Sequence, residues 1–250
     1  MGGTGRSFAT ACLLGLLVSW AVPGCDSKPT PETPPGEAAG PEADATVQTA
    51  ARPGVPAPAV VKKCAFPPVL DGDLSDGCWK NAKVAGVWVN VDTGRAAAQP
   101  TAAWVSYDDE NLYVAFRNDE PDTTSILAEV TERDGSVWRD DSNELFIDPT
   151  AGRKDYYQLI VNTKGALYDG CGRDGDWDSK TEVAVKMTDG GWSVELAVPL
   201  ADLGVVGSPK GQTWTANFCR NRRGEREVYA WSDTGADVHT PECFGKLKFE

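Results

Sequence analysis

Residues 61–250 predict an all-β domain built as an antiparallel β-sandwich. Three observations carry that reading. The dominant hydrophobic period is two, turn signals rich in Gly, Asp and Asn separate the alternating runs, and no long stretch repeats at 3.6 residues. Alternation of this kind marks strands with one face on a core and the other toward solvent. About 190 residues are enough to bury a sizeable core.

The elements follow in chain order. After the turn Asp108-Asp109-Glu110-Asn111, Leu112, Val114 and Phe116 alternate with Tyr113, Ala115 and Arg117. In Glu144–Asp148, Leu145 and Ile147 point inward, so Glu144, Phe146 and Asp148 share the other face. In Gln158–Asn162, Leu159 and Val161 go inward and Gln158, Ile160 and Asn162 outward. If the two strands lie side by side, their outer faces make a partly polar platform; a plain solvated sheet face is the competing reading. Lys164-Gly165 marks the next turn. Val183, Val185 and Met187 form one core-facing run, and Trp192, Val194, Leu196 and Val198 another. Asp189-Gly190-Gly191 lies between them, so 182–188 and 191–198 predict a hairpin. Pro199–Leu203 fits a single helical turn, and Lys210-Gly211 another turn.

The first 60 residues differ in character. Residues 1–25 read as an export signal, with Arg6 followed by the apolar run 11–22, which is too short for a comfortable membrane span. The run ends at Val22-Pro23-Gly24-Cys25, which resembles a bacterial lipobox and makes Cys25 the expected lipidation site, against ordinary secretion as the alternative. Residues 26–60 hold eight of the 17 Pro and no aromatic residue. They cannot bury enough apolar surface to order themselves and read as a spacer, reaching roughly 100 Å at about 3.1 Å per residue if extended.

The formal charge is −13, and residues 1–25 hold one Arg and no acid, so their removal makes the rest more negative still. Such a chain repels nucleic acid and anionic lipid, and suits a neutral partner better. Membrane attachment would have to come from the lipid. Beyond Cys25 lie Cys64, Cys78, Cys171, Cys219 and Cys243. In an oxidising compartment these are disulfide candidates; five is odd, so at most two bridges form, with the pairing open. No Cys/His spacing suggests zinc, and the chain has a single His.

Most of the nine Trp suit purely structural positions. Trp104, Trp192 and Trp214 fall in strand patterns, and Trp79 suits a plug at a sandwich end. Trp138 and Trp177 lie instead among acids and glycines. A flat indole ringed by hydrogen-bonding groups is one way to hold a sugar, its face on the C–H face of a pyranose and carboxylates or amides on the hydroxyls. Asp140, Asp141 and Glu144 could also be read as a glycosidase pair, but acids are so abundant that finding neighbours means little. No nucleophile-elbow motif accompanies His239. Asp71–Gly77 looks like a calcium loop, yet its Gly falls one position late for an EF-hand and the bidentate Glu is missing.

Six segments in order, VLDGDLSDGCWKNA (69–82), WRDDSNELFIDP (138–149), YYQLIVNTKGALYD (156–169), GWSVELAVPLADLG (191–204), WTANFCRNRRGEREVYAWSD (214–233) and FGKLKFE (244–250), together resemble the family-9 carbohydrate-binding module. The resemblance implies a jelly-roll type sandwich, often with bound calcium, that binds sugar chain ends without catalysing a reaction. The family's site is two facing Trp with charged and amide groups at the rim. By position Trp138 matches one Trp and Glu144 the acidic rim residue. The rim Arg falls at Ile160, the second Trp near His239 and the Asn near Ala236, so one wall is kept and the other altered. The candidate sugar contacts are therefore Trp138, Glu144, Asp141, Asn162, Arg220 and His239, with Trp177 a further candidate wall. No cofactor is expected beyond calcium, whose ligands are not identifiable.

The leading expectation is a non-catalytic, lipid-anchored carbohydrate-binding protein supporting polysaccharide breakdown. Two rivals stand beside it: a structural or partner-binding envelope domain, and a DOMON-like haem carrier using Met187 and His239, the only Met and His beyond the signal.

Overall fold

The alternating runs become strands in a computed structural model that describes residues 54–250. The export segment, Cys25 and the spacer up to residue 53 lie outside the described residues. Twelve strands are present among the described residues. They are β1 (Ala59–Lys63), β2 (Val89–Asn90), β3 (Thr101–Tyr107), β4 (Asn111–Asp119), β5 (Ser142–Asp148), β6 (Tyr157–Asn162), β7 (Leu167–Cys171), β8 (Glu182–Thr188), β9 (Gly191–Pro199), β10 (Thr213–Arg222), β11 (Glu227–Ala230) and β12 (Gly245–Phe249).

One sheet runs β7-β6-β5-β10-β12-β1, with β11 bridging β10 and β2; the other runs β1-β3-β4-β9-β8. Their inner faces meet in one core. Leu145, Ile147, Leu159, Val161 and Phe218 of the first sheet pack with Val105, Val114, Phe116, Val194 and Leu196 of the second. These are the inward residues that the period of two selects. The hairpin over Asp189-Gly190-Gly191 forms as expected, with Thr188 paired to Gly191 and Val185 to Val194. Gly191 has φ 147°, and a Cβ there would come 2.0 Å from the Asn118 carbonyl oxygen, so only glycine fits.

β1 departs from the antiparallel scheme. Its first half pairs parallel with β12 (Ala59 with Leu247, Val61 with Phe249) and its second half parallel with β3 (Lys62 with Ser106). It begins two residues before the expected domain boundary. Only Val61 of the five is buried, so there is no alternation to read, and Lys62-Lys63 resembles a solvated segment. The strand is held by main-chain ladders rather than by apolar side chains.

Three further readings change. Met187 is 47% exposed instead of core-facing; it lies on edge strand β8, whose last three residues are all exposed. Pro199–Leu203 forms hydrogen-bonded turns, Asp202 N–H to Pro199 O and Gly204 N–H to Ala201 O, and no helix. Trp79 does not plug an end: it lies under the strap 68–82 on the outer face of the second sheet, packed on Tyr113 and Ala115. Its indole N–H donates to Glu195 Oε1 at 2.8 Å, while Glu195 Oε2 accepts the main-chain N–H groups of Asp71 and Gly72. The calcium-like loop is thus an anchor for this strap.

Candidate functional site

The outer face of the first sheet brings β5 and β6 side by side, with Glu144, Gln158 and Ile160 as a partly polar platform, and it is not a solvated face. β5 is buried along its whole length, inner face and outer. Segments 126–141 and 231–244 cover most of it and leave one opening, a cavity of about 330 Å³ over the middle of β5 and β6.

Sheet register builds its floor. Tyr168, Ile160 and Glu144 are paired side by side across β7, β6 and β5. Gln158, one pleat along, reaches over to donate from Nε2 to Glu144 Oε2 at 2.8 Å, and Asn221 Nδ2 of β10 donates to Oε1 at 2.5 Å. Glu144 is 3% exposed. Burial pushes its carboxyl above the ordinary value, against the two amide donors and the nearby Arg223 charge.

Trp138 makes one wall. It sits in the 3-10 turn Val137–Arg139, where Val137 is buried against Ile160 and Ala166. Anchoring Val137 turns the next side chain outward, so Trp138 is 38% exposed. Its ring meets the Tyr168 ring edge-on at 5.2 Å, and its carbonyl accepts Arg223 Nε at 2.8 Å. The opposite wall is Val238 and His239. His239 Nδ1 lies 2.7 Å from the Tyr156 hydroxyl, and the ring packs edge-on to Phe146 at 5.2 Å. Burial first, then the Arg173 charge, lower its pKa from 6.5, so the ring is neutral near pH 7. Two guanidiniums flank the opening. Arg173 is paired with Asp237 at 2.9 Å, and Arg223 has no carboxylate partner among the described residues.

Of the six sugar contacts expected from the sequence, the fold brings Trp138, Glu144 and His239 to this cavity. Asp141, Asn162 and Arg220 go elsewhere. Asp141 Oδ2 accepts the Leu127 N–H at 2.9 Å, and burial raises its pKa. Asp140 accepts the Glu129 and Val130 N–H groups and Asn162 Nδ2. Asn162 also donates to Val130 O and accepts from the Lys164 and Ala166 N–H groups. These residues staple segment 126–130 to the sheet by accepting its main-chain N–H groups. Arg220 faces the sandwich interior, fully buried. It donates to Glu120 Oε2 at 3.0 Å, to Asp119 O and to Thr101 Oγ1, and Glu120 also takes Arg222. Trp177 lies on the Tyr157 ring at 4.6 Å, packed at the core margin. Met187 lies on β8 of the second sheet, His239 lies in the loop between β11 and β12 over the first, and among the described residues no Met lines the cavity, so the haem pair is not assembled.

The five cysteines are free thiols in the structure. Cys219 is buried in the outer-face cluster with Phe146, Tyr156 and Phe244. For calcium, three carboxylates, Asp134, Asp169 and Asp178, bring oxygens within 4.8 Å of one another. Arg133 already donates to both Asp169 oxygens at 2.7 Å and lies 3.5–3.6 Å from the other two acids. A guanidinium stands where a cation would, so this donor set does not fit a bound calcium ion.

The cavity residues that sequence reasoning missed are Tyr168, Arg173, Arg223 and Val238. Tyr168 follows from register once β6 and β7 are aligned; the others sit in loops that no period marks.

Comparison with known proteins bears on the family and the fold. The profile described as carbohydrate family 9 binding domain-like matches residues 70–250. The chain belongs to that family. Endo-1,4-beta-xylanase A of Thermotoga neapolitana is 30% identical over 193 residues, which cover 72% of this chain and 17% of the xylanase, so the chain spans under a fifth of that relative. A family-9 module from Caldicellulosiruptor kristjanssonii in complex with cellotriose superimposes with a TM-score of 0.59 at 20% identity, covering 77% of this chain and 93% of the module. The glucose complex of a family-9 module from that organism gives 0.58 at 19%, covering 76% and 95%. At these identities the structural matches establish the family-9 sandwich fold.

Proposed function

We propose that the cavity bounded by Trp138 and His239 binds the end of a neutral saccharide without acting on it. The observation that carries this reading is an open indole face beside a buried, amide-held carboxylate. Glu144 and Gln158 offer an acceptor and a donor to hydroxyls in a dry floor, while Trp138 covers the apolar face of a pyranose. The structures of family relatives with cellotriose and glucose support the class of ligand. Arg223, from the 3-10 turn that follows β10, supplies the rim cation that Ile160 no longer provides.

Hydrolysis finds no support. Among the described residues Glu144 is the single carboxylate lining the cavity, and a glycosidase needs two across the scissile bond. A solitary stacking Trp implies weak binding. About 2.5 kcal/mol from one ring falls short of the roughly 4 kcal/mol that even a millimolar Kd represents, and rim hydrogen bonds must supply the rest. Weak binding suits a protein held at a surface and aiding polysaccharide breakdown, and the lipobox-like Cys25 would hold it there.

Calorimetry against a panel of gluco-, xylo- and manno-oligosaccharides tests the binding. Saturable heat with at least one, reduced in Trp138→Ala, is expected; silence across the panel overturns the reading. Fatty-acid labelling lost in Cys25→Ser tests the anchor, and an unlabelled wild type removes it.

A further inference from the structure

Far along the sheet from the cavity, two cysteines meet. Cys64 directly follows β1, its N–H donating to Tyr107 O at 2.8 Å. Cys78 lies in the 3-10 turn Gly77–Asn81, whose Trp79 is buried and tied to Glu195. Both cysteines pack on the Trp79, Ala82 and Tyr113 cluster and line one cavity of about 440 Å³. The chain between them is the strap over the second sheet. Its tip Gly72 has φ 77°, and a Cβ there would meet Lys186 at 2.6 Å, so the strap lies tight on β8.

We infer that Cys64 and Cys78 form a disulfide that staples this strap shut. No other pair of the five is brought to a common cluster: Cys219 lies with Phe146, and neither Cys171 nor Cys243 joins the Trp79 cluster. A small disulfide such as oxidised glutathione serves as oxidant. One cysteine thiolate attacks it, forming a mixed disulfide and releasing one glutathione thiol; the second cysteine then displaces the other, so two protein thiols are oxidised as one disulfide is reduced to two thiols. The cavity gives the oxidant access. Burial pushes the Cys78 thiol up to about 12, so exchange is slow near neutrality and faster as pH rises. Closing a loop of about 15 residues corresponds to a Tm rise of about 6–12 °C for a domain of this size.

The test uses the exported chain purified under reductant, then equilibrated in oxidised or reduced glutathione and alkylated after denaturation. Trypsin leaves both cysteines on the peptide from Cys64 to Lys80, and cleavage at Asp71, Asp73 or Asp76 then separates them. The expected result is an unalkylated peptide, two hydrogens light, whose halves stay joined after cleavage at Asp. It should accompany a higher Tm that reductant abolishes and that Cys64→Ser and Cys78→Ser both lack. Alkylation of both cysteines after oxidation, or either one bridged to a different cysteine, overturns the inference. Comparing oxidised with reduced wild type keeps the test valid even if a serine variant folds poorly. Sugar affinity should be the same in both redox states.

Discussion

Truncating Trp138 to alanine gives the most direct reading of the cavity. The residue is 38% exposed, and a tryptophan offers about 250 Å² in all, so about 95 Å² of ring stands open. If a pyranose covers half to all of that area, the lost burial at about 25 cal/mol per Å² is about 1.2–2.4 kcal/mol, a factor of roughly 8 to 60 in Kd. The ring's buried edge rests on Tyr168 rather than in the main core, so Tm should change by only a few degrees. Calorimetry at high protein concentration, or retardation in a glycan-loaded native gel, measures the affinity; circular dichroism checks the fold. Equal retardation of wild type and variant by a glycan that both bind would refute the stacking argument, because the open indole face would then be irrelevant.

Other outcomes follow from neighbouring groups. Glu144 must be ionised to accept both amides and a hydroxyl, and burial raises its pKa from 4.5. Affinity should therefore fade on acidification at a higher pH than an exposed glutamate would dictate, and Glu144→Gln should bind weakly at every pH. The same raised value acts on folding in the opposite direction. The contribution of Glu144 to stability is complete below 4.5 and shrinks as pH climbs through the raised value, so stability should decline less steeply there in Glu144→Gln, as thermal melts across pH would show. Arg220→Ala removes one partner of a buried pair, while Arg222 still holds Glu120. Tm should drop by about 6–12 °C with sugar affinity intact below the transition, and a selective loss of affinity would return Arg220 to the binding site. Asp140→Ala frees two main-chain N–H groups and Asn162. It should speed amide exchange in residues 126–130 and loosen the turn bearing Trp138, weakening binding without any contact to sugar.

Period-two alternation made the sandwich legible, because inward residues such as Leu145, Val161 and Val194 must be apolar and nothing else satisfies that face. Trp138 was legible for the converse reason: an indole set among acids lacks the apolar neighbours that would draw it into a core. The acids themselves were not. Asp141 and Glu144 are three residues apart and chemically alike, yet one caps a main-chain N–H and the other floors the cavity. That choice depends on where segment 126–130 lies, which no local pattern encodes. Arg220 misled for a similar reason, since an arginine in a strand reads as surface until a buried Glu120 is known to face it. Of the second wall His239 was legible, while Val238 and the flanking Arg173 and Arg223 were hidden because they come from separate loops that only the folded sheet gathers.

β1 has a mechanical consequence. It runs parallel to β12, so Ala59, where the chain enters the strand, and Phe249, near the far end of β12, lie toward opposite ends of one ladder. A pull applied ahead of Ala59 drags β1 lengthwise against neighbours on both edges, loading their hydrogen bonds together instead of unzipping them singly. A tether joined at this point would meet main-chain resistance at a strand that buries only Val61.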